Sequence, residues 1–104
     1  MTQPRDQEDA VKVDPRHYKF ESENEQVRVV RISYGPNEKS NMHSHPAAVA
    51  VFLTGAHIRF NYPDGKTEDI RVKAGEALFT PATTHLPENL SNEPLEAVLV
   101  ELKG

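Results

Sequence analysis

The chemistry-bearing residues of this chain are its histidines. There are five of them among 104 residues, and no cysteine. Two stand in Asn41-Met42-His43-Ser44-His45-Pro46. On an extended strand residues i and i+2 face the same way, so both imidazoles of a His-x-His project into one space. Two neutral imidazoles side by side suit a divalent transition metal. Alone, such a pair is more simply two exposed histidines at a strand end. The absence of cysteine excludes a disulfide scaffold, a thiolate zinc site and a cysteine nucleophile.

The elements that would position these histidines read as all-β. Short apolar runs rich in Val, Ile, Phe and Tyr alternate with turn clusters at Gly35-Pro36-Asn37, Pro63-Asp64-Gly65, Ala74-Gly75 and Ser91-Asn92-Glu93-Pro94. Strands are predicted near 17–22, 26–34, 48–54, 56–62, 67–73, 76–80, 84–87 and 95–102. Ile58, Phe60 and Tyr62 share one parity against His57, Arg59 and Asn61, the pattern of an antiparallel strand packed on one side. Residues 47–53 and 98–100 are apolar on both parities. They read as central strands or as strands covered by a second subunit. A parity shift within Val27, Val29, Val30, Ile32 and Tyr34 suggests a bulge. No stretch carries a long 3.6-residue period, so the fold class is a β-sandwich or barrel. The polar residues 1–12 read as a flexible N-terminal arm and 13–104 as one domain.

The two histidines stand between Gly35 and Gly55. Downstream runs Gly75-Glu76-Ala77-Leu78-Phe79-Thr80-Pro81-Ala82-Thr83-Thr84-His85-Leu86-Pro87-Glu88-Asn89. Together these stretches resemble the two motifs of the cupin superfamily, G-x5-H-x-H-x3/4-E-x6-G and G-x5-P-x-G-x2-H-x3-N. Gly35, His43, His45 and Gly55 match the first, with a slightly longer loop before His43. Gly75, Pro81, His85 and Asn89 match the second, with Thr83 in the glycine slot and the Pro-to-His interval one residue shorter. The resemblance spans about residues 25–102. It implies a conical β-barrel, the double-stranded β-helix or jelly roll of two antiparallel sheets. It also implies a metal site of His43, His45 and His85. The motif's glutamate is missing: extending the parity of His43 and His45 puts Val49 in its slot, with Ala50 as the alternative.

A site of three imidazoles leaves a divalent ion its full +2 charge and up to three open positions. It should therefore favour a small anionic chelator and leave room for dioxygen. Val49, Val51, Leu53, Phe79 and Leu86 are candidates for an apolar pocket lining, Glu88 for an acid–base group or a partner to a histidine N–H, and Asn89 for shaping the turn after His85. Three-histidine cupins resemble non-haem Fe(II) dioxygenases acting on β-diketones, cysteine or gentisate-type aromatics. The implied function is thus an Fe(II) dioxygenase-like protein with a small-molecule substrate. The alternatives are a non-catalytic binding cupin holding Zn, Ni, Mn or Cu, and a metal-free structural cupin. His57, on the polar parity, is expected to face solvent, and His17 to pack. Metal affinity is expected to weaken as pH falls through about 6.5, where free imidazole protonates.

Twelve basic against sixteen acidic residues give a net charge of −4. That balance argues against nucleic acid, which needs a clustered basic surface. No apolar run approaches the roughly 20 residues that span a bilayer, which argues against membrane insertion. Met1 to Asp9 lacks the basic-then-apolar order of a signal sequence, so the expected location is cytoplasmic. The resemblance further implies a homodimer, in which pairing would protect an edge strand near 13–22.

Overall fold

The computed structural model describes residues 8–104. A short helix, α1 (Ala10–Val13), precedes nine strands: β1 (Tyr18–Glu23), β2 (Val27–Tyr34), β3 (His43–His45), β4 (Ala48–Phe52), β5 (Ala56–Asn61), β6 (Thr67–Val72), β7 (Ala77–Thr80), β8 (Thr83–Asn89) and β9 (Leu95–Leu102). They form two antiparallel sheets, ordered β1-β2-β9-β4-β7 and β3-β8-β5-β6. No helix among the described residues is long and apolar enough to cross a membrane.

Strand alternation builds the interior. Val30 and Tyr34 on β2, Ala48, Ala50 and Phe52 on β4, Ile58 on β5, Val72 on β6 and Leu95, Ala97 and Leu99 on β9 are buried together. The strands apolar on both parities, β4 and β9, lie side by side inside the five-stranded sheet. Their outer parity aligns Val29, Val100, Val49 and Phe79 across four strands. Of these, Phe79 is 65% exposed. The β5–β6 hairpin turns at Gly65, whose φ of 86° is open to glycine without strain.

Two expectations change here. The bulge lies on β1, between Phe20 and Ser22, opposite an unbroken β2. The parity change in β2 reflects apolar residues on both of its faces. Of the residues read as an arm, 1–7 lie outside the described residues. Asp9 and Ala10 are buried, and Asp9 grips Arg28 through two hydrogen bonds of 2.9 and 2.6 Å. Polar composition concealed this anchor because the segment is held by an ion pair as well as by apolar contact.

Asn89 closes the far end of β8. It is 2% exposed; its Nδ2 donates to the carbonyls of Gly35 (3.1 Å) and Glu93 (2.9 Å), and its Oδ1 accepts from the Ser91 N–H (3.1 Å). One side chain thus ties the loop after β2 to the loop before β9. Replacing it strips the part-buried backbone groups of Gly35, Ser91 and Glu93 of their shared partner, at about 1–3 kcal/mol. Asn89→Ala should lower stability by that amount in urea unfolding while leaving metal stoichiometry unchanged.

Candidate metal centre

β3 is only three residues long, yet its pairing with β8 sets the site. His43 lies directly opposite His85, and His45 opposite Thr83. Because His43 and His45 are two apart on an extended strand, both face the same side as His85. Ring centroids stand 4.6 Å apart for His43 and His45, 5.1 Å for His43 and His85, and 5.3 Å for His45 and His85. One ring nitrogen from each lies within 4.8 Å of the others. All three are buried.

Packing holds each ring. Phe60 stacks flat on His85 at 4.9 Å and 9°. Tyr18 meets His43 edge-on at 4.7 Å, and its hydroxyl shares a 2.6 Å hydrogen bond with that of Tyr34. Hydrogen bonds set the tautomers. The Nδ1–H of His43 donates to the Asn41 carbonyl at 2.8 Å, and the Nδ1 of His45 meets the Glu101 carboxylate at 3.3 Å. The Nε2 atoms of His43 and His85 are buried with no hydrogen-bond partner among the described residues. Buried polar atoms are seldom left so. An inward-facing lone pair with no donor opposite it fits a cation, and the three-nitrogen set suits a first-row divalent ion.

Beside the histidines lies a cavity of about 420 Å³. Its wall includes His45, His85, Ala50, Phe52, Phe60 and Leu99, and among the described residues no lysine or arginine lines it. Among the residues expected at the pocket, Phe79, Glu88 and Asn89 border it, although Glu88 turns its carboxylate to Asn61 Nδ2 at 2.8 Å. Val49, Val51, Leu53 and Leu86 are not in the wall. Val49 and Val51 face outward on β4, and Leu53 is largely exposed beyond its end. Leu86 sits on β8 at the parity opposite His85; for the β4 residues the reason is the crossing at Pro46-Ala47. There the chain leaves the four-stranded sheet and enters the other, which resets the alternation. Ala50, and not Val49, therefore occupies the inward place nearest the missing glutamate. His17 is buried, bonded to Asp14 (2.7 Å) and Glu38 (3.1 Å) and stacked on Tyr34 at 4.2 Å. His57 lies outside the site, 3.8 Å from Asp69.

Glu101 was not anticipated. It is 2% exposed on β9 and faces inward with Leu95, Ala97 and Leu99. A glutamate on the apolar parity of a central strand is the signal that would have found it.

The family model described as a cupin domain matches residues 30–101. No curated protein matches the sequence. Among solved structures, a cupin domain protein from Bordetella pertussis Tohama I is similar with a TM-score of 0.76 and 20% identity, over 100% of this chain and 99% of its own. An RmlC-like cupin with a double-stranded β-helix fold from Methanocaldococcus jannaschii gives 0.63 and 15%, over 82% and 77%. A mutant of oxalate decarboxylase from Bacillus subtilis gives 0.60 and 20%, over 78% of this chain but 22% of its own. At these identities the likeness is one of fold.

Burial, reinforced by His45, pushes the His43 imidazole down to about 3 and that of His85 to about 2. In the folded metal-free chain these two imidazoles therefore stay proton-free well below pH 6.5. The proton effect falls on folding. In the unfolded chain both imidazoles protonate near 6.5, so below that pH the unfolded state binds more protons. Stability of the metal-free protein should be full above pH 6.5 and decline as pH falls toward about 3. Thermal midpoints between pH 7.5 and 5 measure this decline, and His85→Leu should make it shallower. A flat profile would contradict the burial argument.

Proposed function

This chain belongs to the cupin domain family, and from that premise we propose that it binds a divalent transition metal through His43, His45 and His85 to act on a small chelating anion. The reading is carried by the two partnerless Nε2 atoms of His43 and His85, next to a largely apolar cavity. A bound ion would supply Lewis acidity there and, if iron, electrons for reaction with dioxygen.

The chain's own residues favour one kind of substrate. With no lysine or arginine among the described residues of the wall, the bound ion is the main positive charge offered to an anion. A second carboxylate would stay unbalanced in an apolar enclosure. A monoanion with two adjacent oxygens and an apolar body, such as the enolate of a β-diketone, fits better than a dicarboxylate. Phe52, Phe60, Ile58 and Leu99 would hold that body and exclude water. Tyr18 and Tyr34, with hydroxyls bonded to each other in the same wall, offer a donor to a substrate oxygen. The reaction proposed is dioxygenation, with dioxygen as oxidant and both of its atoms ending in the products. Fe(II) is the favoured ion.

The Fe(II)-reconstituted protein should consume oxygen with an apolar β-diketone and little with oxalate, as read at an oxygen electrode. His43→Ala, His45→Ala and His85→Ala should each lose metal affinity by more than the 10–100-fold typical of losing an outer partner, measured by metal analysis after dialysis. Ligand-dependent stabilisation without oxygen uptake would instead make the protein a binding module. Unchanged metal content in His43→Ala would remove the site altogether.

A further inference from the structure

The ligand set lacks the carboxylate of its family motif, yet a carboxylate is buried directly behind one ligand. Glu101 Oε2 stands 3.3 Å from His45 Nδ1. Its other oxygen accepts from Arg28 Nε at 2.7 Å. Arg28 in turn donates Nη1 and Nη2 to the two oxygens of Asp9, at 2.9 and 2.6 Å. Backbone register fixes the middle of this chain, because Arg28 and Ala48 both pair with Glu101 across the central strands. It fixes the outer end as well. Asp9 bridges Ser44, the residue between the two ligand histidines.

The chemistry of the acceptor matters. Glu101 faces a guanidinium on one side, and an ionised carboxylate can only accept hydrogen bonds. His45 must therefore present Nδ1–H to it, which leaves the Nε2 lone pair free. A carboxylate has two oxygens to serve two donors, whereas an amide has one. The group is also costly to bury, since a hydrophobic replacement of a buried ion chain is often as stable. Two carboxylates and one guanidinium leave the chain with one net negative charge, placed outside the ligand sphere.

We infer that Glu101 is a positioning residue for the metal centre: it locks the tautomer of His45 and supplies through that imidazole the negative charge missing from the ligand set, with Asp9 and Arg28 setting how much of it His45 feels. The inference rests on the metal-binding reading above. It places the lost charge behind a ligand instead of on the ion, so all the open positions stay available to substrate.

The test uses Co(II) as the probe, with affinity from chelator competition and the ligand field from visible absorption. Wild type, Glu101→Gln and Asp9→Asn are compared as full chains, with apo thermal midpoints measured alongside. Glu101→Gln should bind Co(II) about 10–100-fold more weakly and shift the visible bands. Asp9→Asn leaves Glu101 as the remaining carboxylate on Arg28, which draws the negative charge of Glu101 away from His45, and should weaken binding in the same direction by less. If Glu101 merely ties β2 to β9, Glu101→Gln lowers the apo midpoint and leaves affinity and spectrum unchanged, which overturns the inference. If Glu101→Gln does not fold, Asp9→Asn decides: unchanged affinity overturns it equally. A wild type that binds no Co(II) overturns the metal centre itself, and this inference with it.

Discussion

A buried imidazole has two nitrogens to satisfy, and a metal-binding one must satisfy a single nitrogen and leave the other bare. Much of this fold can be traced to that requirement. The β3–β8 register places His43 opposite His85. The carbonyl of Asn41 takes the proton of His43 Nδ1, Phe60 stacks on His85 and Tyr18 closes against His43. Burial then keeps the bare nitrogens unprotonated, since a charged imidazole would be desolvated beside two others. The apolar interior is thus what makes the histidines available as neutral donors, besides holding the sheets together.

Charge is distributed by the same logic. A carboxylate in the ligand set would neutralise part of the ion's charge and occupy one of its positions. Here the inward place near that slot is Ala50, which opens space in the cavity, and the nearest buried carboxylate stands behind His45. An ion bound at the three histidines would direct its field toward the cavity, with the Glu101 charge on its far side. Because the compensation runs through Arg28 to Asp9, the N-terminal segment is electrically part of the site even though it lies outside the barrel.

Local patterns made most of the strands legible in the sequence. Turn residues and two-residue alternation located eight of the nine strands shown by the structure to within a few residues. The exception, β3, has three residues and two of them are histidines, so no apolar alternation marks it. The metal-ligand candidates came from motif order, which needs no knowledge of register. What failed to show was whatever depends on where the chain changes sheets. Val49 and Val51 looked inward only while the parity of His45 was carried across Pro46-Ala47. Glu101 had no partner visible in the sequence, because Arg28 lies 73 residues away. Asp9 looked like solvated chain for the same reason: an ion pair between distant residues leaves no periodicity.

The bare nitrogens also make the site a weak point of the metal-free fold. An unpartnered buried polar atom costs about 1–3 kcal/mol, and His43 and His85 each contribute one. An ion that binds only the folded chain stabilises it by mass action, so the same two atoms that weaken the empty barrel would give the loaded one its strength. Hydrogen bonds and ring contacts also tie down the segments around the site. Asn89 ties the loop at the far end of β8, the Asp9–Arg28–Glu101 chain braces β2 and β9, and His17 and Tyr34 stack where β1 begins. A site built from unsatisfied acceptor nitrogens keeps its shape only if its surroundings are satisfied. The three imidazoles can stay poised because nearly every polar group around them has found a partner.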